Sequence, residues 1–222
     1  MFKHSSRLGT WMLAAYLLFA GAGVAPASAQ SKASPVAPDR ARVEAVVREA
    51  YEKFRGDSGG KNADYIPYLA HVDSKLFGIA VVSTNNQVFT LGDVNYSFSI
   101  QSISKVFSLA LAMEEQGPEK VFEKIGSEPT GRAFNSVTAV VEMPTHTGNP
   151  LVNAGAIATV SLISGKTPEE KWNKILDFYS KAAGEKLSLI DEVYKSEAAT
   201  NTGNKALSYL LAKVRSHLRR PL

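Results

Sequence analysis

Two short runs of the chain, FGIAVVS at 77–83 and QVFTLGD at 87–93, are rich in β-branched and aromatic residues, and TNN at 84–86 joins them. Such a pair predicts a β-hairpin. No other stretch reads as a strand, and the segments on either side carry helical periodicity, so the chain falls in the α+β class. A hairpin alone is marginal in water and requires more strands or a covering layer. The sheet therefore reads as unfinished, with only a first strand pair evident.

The helices announce themselves by spacing and by punctuation. In DRARVEAVVREAYEKFRG (39–56), Val43, Val46, Val47, Ala50, Tyr51 and Phe54 recur at helical intervals between Asp39 as N-cap and Gly56 as a stop. GDSGGK (56–61) reads as a flexible loop. Further helices are expected at 102–116, closed by Gly117, then at 118–126 and 153–164. Another is expected at 168–183, where Thr167 and Glu170 form a capping box with Pro168 at the first turn. One last helix is expected over 190–212. No internal repeat is visible.

The N-terminus has Lys3 and Arg7, an apolar run from Leu8 to Val24, and a small-residue site at Ala27-Ser28-Ala29. That pattern predicts a signal peptide over 1–29 and an exported protein, periplasmic or secreted. A membrane anchor fits less well, because the apolar run contains three glycines and no basic stop-transfer cluster follows it. Residues 30–38, QSKASPVAP, read as a linker, and the folded domain is expected over 39–222.

The formal net charge is +4, but Lys213, Arg215, Arg219 and Arg220 crowd into the last ten residues. Between 30 and 212 there are 19 basic and 21 acidic residues, so the body lacks the basic face that a nucleic-acid partner would require. The chain has no cysteine, which rules out a disulfide framework, thiolate catalysis and cysteine-ligated zinc. His4, His71, His146 and His217 are scattered without metal-ligand spacing, and no metal or cofactor is implied.

One short motif suggests chemistry. In FSIQSISKVFSLALA (98–112), Ser102 and Lys105 are separated by one helical turn, so an amine can reach a hydroxyl on the same face. Ser102 follows a turn and opens an apolar helix, where backbone N–H groups favour developing negative charge. Val106, Phe107 and Leu109 would desolvate the lysine and lower its pKa toward that of a useful base. The bland alternative is an N-cap serine beside a snorkelling surface lysine. The spacing alone is weak, since Ser58-Gly59-Gly60-Lys61 repeats it inside a loop.

Five blocks tip the balance: ADYIPYLA (63–70), SIQSISKVF (99–107), EPTGRAFN (128–135), NPLVNAGAI (149–157) and SEAATNTGNKALSYLL (196–211). In this order and at this spacing they resemble the serine-dependent glutaminase family. The resemblance implies hydrolysis of L-glutamine to L-glutamate and ammonia through a glutamyl-serine ester, without a cofactor. It also implies a β-lactamase-like fold, a helical layer against an antiparallel sheet, in a homo-oligomer; from the leader pattern no stable membrane anchor is expected. By the same resemblance Ser102 matches the nucleophile, Lys105 its base, and Tyr65 a tyrosine that hydrogen-bonds near the nucleophile. Asn153, Glu197 and Asn204 match substrate-binding positions. A carboxylate such as Glu197 suits a substrate ammonium, and neutral amides suit its carboxylate. In one continuous helix, Glu197 and Asn204, seven apart, would share a face.

The chain departs from the family in stopping about a third short of its usual length. The segment beyond would supply two tyrosines, the second oxyanion-hole N–H and the remaining strands, so this polypeptide is expected to be poorly active and poorly soluble by itself. Two other readings stay open. One is an exported Ser-x-x-Lys hydrolase of β-lactamase or peptidase type, although Lys166-Thr167 is followed by Pro168 rather than glycine. The other is an inactive truncated remnant.

Overall fold

The computed structural model describes residues 39–143 and 146–218. The expected signal peptide and linker lie outside the described residues. The elements in order are α1 (Arg40–Phe54), α2 (Pro67–Ala70), β1 (Gly78–Val82), β2 (Val88–Gly92) and a 3₁₀ turn (Gln101–Ile103). There follow α3 (Ser104–Gln116), α4 (Pro118–Ile125), α5 (Val137–Glu142), α6 (Asn153–Leu162), α7 (Pro168–Ala183), α8 (Asp191–Thr200) and α9 (Thr202–Leu218).

The hairpin forms where its composition predicts. β1 and β2 pair antiparallel from Gly78↔Gly92 to Val82↔Val88, and no third strand joins them among the described residues. Phe89 is buried and shares a face with Ile79, Val81 and Leu91, beneath the Arg40 guanidinium of α1 at 5.2 Å from the ring centroid. Tyr51 of α1 stacks on Phe77 with centroids 5.4 Å apart. The opposite face shows Val82 and Val88 to solvent. One helix thus covers one face of a two-stranded sheet, the α+β arrangement expected.

Local chemistry sets several helix ends. The Asp39 carboxylate accepts from Ala41 N, the Ser136 hydroxyl from Ala139 N and the Thr167 hydroxyl from Glu170 N. Glu170 in turn accepts from Lys166 N at 2.7 Å, one residue earlier than in the usual capping box. Gly117 ends α3 with φ 82°.

The helical layer is built around α6, whose sequence NAGAIATVSL is apolar on every side, as a central helix requires. One cluster joins Leu111 and Ala112 of α3, Val121 and Ile125 of α4, Ala158 of α6, Ile163 at the C-cap of α6, and Ile175 of α7. A second joins Val140 of α5, Ala154 of α6, and Leu207 and Leu211 of α9.

Two expectations on local structure are corrected. The single helix expected over 190–212 is two helices that break at Asn201, whose ψ of 36° leaves the helical region. The Thr200 hydroxyl donates to the carbonyls of Ser196 and Glu197 at 3.3 Å, competing with the main-chain ladder, and TNTGN has little helix propensity to resist. Glu197 and Asn204 therefore stand on separate helices rather than on one face. Ser102 also does not open the α-helix directly. It lies in the 3₁₀ turn, with Ile103 at the N-cap of α3.

Gly155 is the position that lets α6 serve as the hub. A Cβ built there would lie 1.8 Å from the Asn149 carbonyl oxygen, so only glycine allows the 147–152 loop to fold against the helix. Gly155→Ala is expected to destabilise the chain by about 1–3 kcal/mol, because a rigid backbone rather than a mobile side chain must give way. Urea unfolding measures this, and a midpoint equal to the parent's would contradict it.

Candidate active site

The 3₁₀ turn carries Ser102 exposed at the surface, and the residue before it is unusual. Gln101 has φ 47°, a left-handed conformation that costs a non-glycine residue about 1–3 kcal/mol and persists only where its surroundings hold it. The Ser104 hydroxyl donates to the Gln101 carbonyl at 2.6 Å, and Gln101 Nε2 donates to Ser99 Oγ at 3.2 Å. A cleft of about 270 Å³ borders this turn, lined by Asn62, Tyr68, Phe98, Ser99, Gln101 and Val193.

One residue into α3, Lys105 turns toward α6. Its Nζ donates to Asn153 Oδ1 at 2.7 Å and to the Leu151 carbonyl at 3.0 Å, and lies 5.9 Å from the centre of the Phe134 ring. Burial lowers its pKa below the ordinary lysine value. Among the described residues no hydrogen bond joins Lys105 to Ser102.

The partners of Lys105 are fixed by the loop before α6. Asn149 Oδ1 accepts from Leu151 N at 3.0 Å and Val152 N at 3.3 Å, while its Nδ2 donates to the Glu128 carbonyl at 3.0 Å. Asn153 N donates to the Phe134 carbonyl at 2.8 Å. The blocks 128–135 and 149–157 are therefore joined by one main-chain bond and one bond from the Asn149 side chain, with the Lys105 amine near their seam.

The Asn153 carboxamide has a single consistent orientation. As an ammonium Lys105 can only donate, so Oδ1 must face it, and Nδ2 then donates to Asn204 Oδ1 of α9 at 2.8 Å. Asn204 Nδ2 is left without a protein partner among the described residues. Lys105, Asn153 and Asn204, from three helices, form one chain of hydrogen bonds.

The remaining expected residues stand apart from this chain. Tyr65 precedes α2 and is 64% exposed, and Glu197 is half-buried on α8. Neither side chain makes a hydrogen bond among the described residues. Their helices do touch, since the Ser196 hydroxyl accepts from Tyr68 N at 3.0 Å. Three contributors escaped sequence reasoning. The Leu151 carbonyl has no side-chain signature, Phe134 sits in a quoted block without an assigned role, and Asn149 could have been read as a turn former from Gly-Asn-Pro.

Comparison with known proteins follows the same lines. A family model described as Glutaminase matches residues 60–219. A glutaminase of Colwellia psychrerythraea is 53% identical over 174 residues, which are 78% of this chain and 56% of that protein. One of Mycobacterium ulcerans is 47% identical over 178 residues, 80% of this chain and 56% of the relative. The chain thus spans a little over half the length of the curated relatives it matches. Among solved structures, the probable glutaminase ybaS superposes with a TM-score of 0.76 at 46% identity, covering 79% of this chain and 57% of that one. A probable glutaminase from Bacillus subtilis in complex with 6-diazo-5-oxo-L-norleucine gives 0.65 at 28% identity, over 84% and 56%. These neighbours have the β-lactamase-like architecture that the family resemblance implied. With the matched region spanning every element from α2 to α9, the chain belongs to the glutaminase family.

Proposed function

We propose that the chain carries the site for hydrolysis of L-glutamine to L-glutamate and ammonia. Ser102 Oγ attacks the side-chain amide carbon, and its proton passes to Lys105. Lys105 hands that proton to the amide nitrogen, and ammonia leaves as the glutamyl-serine ester forms. Water then cleaves the ester, returning the hydroxyl to Ser102 and releasing glutamate. Tyr65 assists by hydrogen bonding near the nucleophile once substrate is in place.

The observation that carries this reading is the pair of acceptors around Lys105. A neutral amine has two N–H groups and one lone pair. With both N–H groups taken by Asn153 Oδ1 and the Leu151 carbonyl, the lone pair is what remains for the serine proton. Burial makes that neutral form accessible. The unpartnered Asn204 Nδ2 offers a donor for the substrate carboxylate, and the Glu197 carboxylate a partner for the substrate ammonium. Export to the periplasm or beyond belongs to the same proposal and rests on the leader-like residues 1–29.

Three measurements test it. Ammonia release from L-glutamine, however slow in this chain, is expected to fall to the buffer rate in Ser102→Ala, and release at the parent's rate would overturn the nucleophile assignment. The parent's rate should rise with pH as Lys105 loses its proton, with a midpoint below that of an ordinary lysine. Lys105→Arg cannot deprotonate, so it should lose about 10²–10⁴ in rate together with that rise. Calorimetric affinity for glutamine should drop about tenfold or more in Glu197→Gln, which removes a charged partner, while Ser102→Ala still binds. Equal affinity in Glu197→Gln and the parent would remove Glu197 from the site.

A further inference from the structure

We infer that Tyr179 of α7, acting with Ser104, is a positioning residue that sets the spacing between Ser102 and Lys105. The inference rests on the reading of those two residues as the chemical pair.

Ser104 stands between them and is held at both ends. Its hydroxyl donates to the Gln101 carbonyl at 2.6 Å, and that carbonyl belongs to the peptide unit leading into Ser102. Its own carbonyl belongs to the peptide unit leading into Lys105, and it accepts from the Tyr179 hydroxyl at 2.9 Å. The peptide units from which nucleophile and base are suspended are thus pinned by one serine and one tyrosine.

The direction of the bonds is determined by proton count. Tyr179 has one hydroxyl proton, given to Ser104, so the bond between Tyr179 and Ser108 has Ser108 as donor. Ser108 is only 6% exposed, and its hydroxyl depends on this partner. The Tyr179 ring packs at a tilt on Phe107, centroids 5.9 Å apart, which holds the hydroxyl in place. The chain runs Ser108 to Tyr179 to the Ser104 carbonyl, and separately from the Ser104 hydroxyl to Gln101.

This clamp also accounts for the left-handed Gln101. A strained residue directly before an exposed serine requires surroundings that over-determine it. The Ser104 hydroxyl supplies the local constraint, and Tyr179 ties Ser104 to the helical core through α7. Among the described residues neither side chain hydrogen-bonds to the side chains of Lys105, Asn153 or Asn204, so the role is separable from substrate binding.

The test uses the full chain with 6-diazo-5-oxo-L-norleucine, an electrophilic glutamine analogue that alkylates a nucleophilic oxygen with loss of dinitrogen. Mass spectrometry follows labelling of Ser102 in the parent, Tyr179→Phe, Ser104→Ala and Ile175→Val. The last trims the α7 core contact but leaves the hydroxyl chain intact. The limiting labelling rate should fall about five- to tenfold in Tyr179→Phe and in Ser104→Ala, the worth of one ordinary hydrogen bond. The half-saturating concentration should stay within about twofold, as expected of orientation lost without binding lost. Ile175→Val should label at the parent's rate. Amide exchange over residues 100–105 provides a second readout independent of chemistry, and should speed by a similar factor in the two hydroxyl variants alone. Unchanged labelling and exchange in both, or an equal loss in Ile175→Val, would overturn the inference. If the parent takes no label, the nucleophile reading fails while exchange still decides the clamp.

Discussion

The approach of the Asn149 carbonyl to Gly155 is the constraint on which the site depends. A hydrogen in place of a methyl lets the 147–152 loop lie directly on α6. From that position Asn149 folds its carboxamide back onto Leu151 N and Val152 N, orienting the Leu151 carbonyl toward α3. Asn153, the first residue of α6, then projects between α3 and α9. Small residues at Ala154, Gly155 and Ala158 are therefore more than core filler. They allow three helices to approach closely enough for one side chain to bond to two of them.

That side chain settles an electrostatic problem. A half-buried lysine is costly as a free ammonium and useless as a base when fully solvated. Two neutral oxygens near Lys105 moderate the cost without adding a carboxylate that would hold the proton firmly. On balance the pKa is lowered, through burial. Replacing Asn153 by an aspartate would reverse the balance, since a negative charge at 2.7 Å stabilises the ammonium strongly. An amide here is a functional choice as well as a steric one, and Asn204 keeps it from flipping.

Local elements were legible in the sequence where local chemistry determines them. The hairpin follows from β-branched runs around a polar turn, and α1, α4 and α7 follow from apolar spacing with caps or punctuation. Reading failed where tertiary packing prevails. α5, VTAVVE, is short and β-branched, and its helical form depends on Ala139 and Val140 being buried, the latter against Ala154 and the α9 leucines. The α8–α9 break was visible as weak propensity at TNTGN but not as a full interruption. At the site, residue types and candidate roles came from the family resemblance. The partnerships did not, because Lys105–Asn153 and Asn153–Asn204 span 48 and 51 positions, and no periodicity reports such a pairing. The Leu151 carbonyl was invisible for a simpler reason, that every residue has one.

The sheet and the site stand in an unequal relation. The hydrogen-bonded chain from Lys105 to Asn204 lies wholly within α3, α6 and α9, and the Ser104–Tyr179 clamp within the 3₁₀ turn, α3 and α7. Nothing in either passes through β1 or β2. Residues 93–100 run from the last strand of the hairpin into the 3₁₀ turn. Base, amide relay and clamp are thus supported by the helical cores, whereas Ser102 also inherits whatever motion its strand-side approach allows. One face of that strand pair is covered by α1 and the other presents Val82 and Val88. Such a sheet is the least constrained layer of the fold, and local opening should begin there rather than at Lys105. A nucleophile between a rigid helix and a less constrained hairpin needs a restraint on the helix side, and the bonds of Ser104 supply one there.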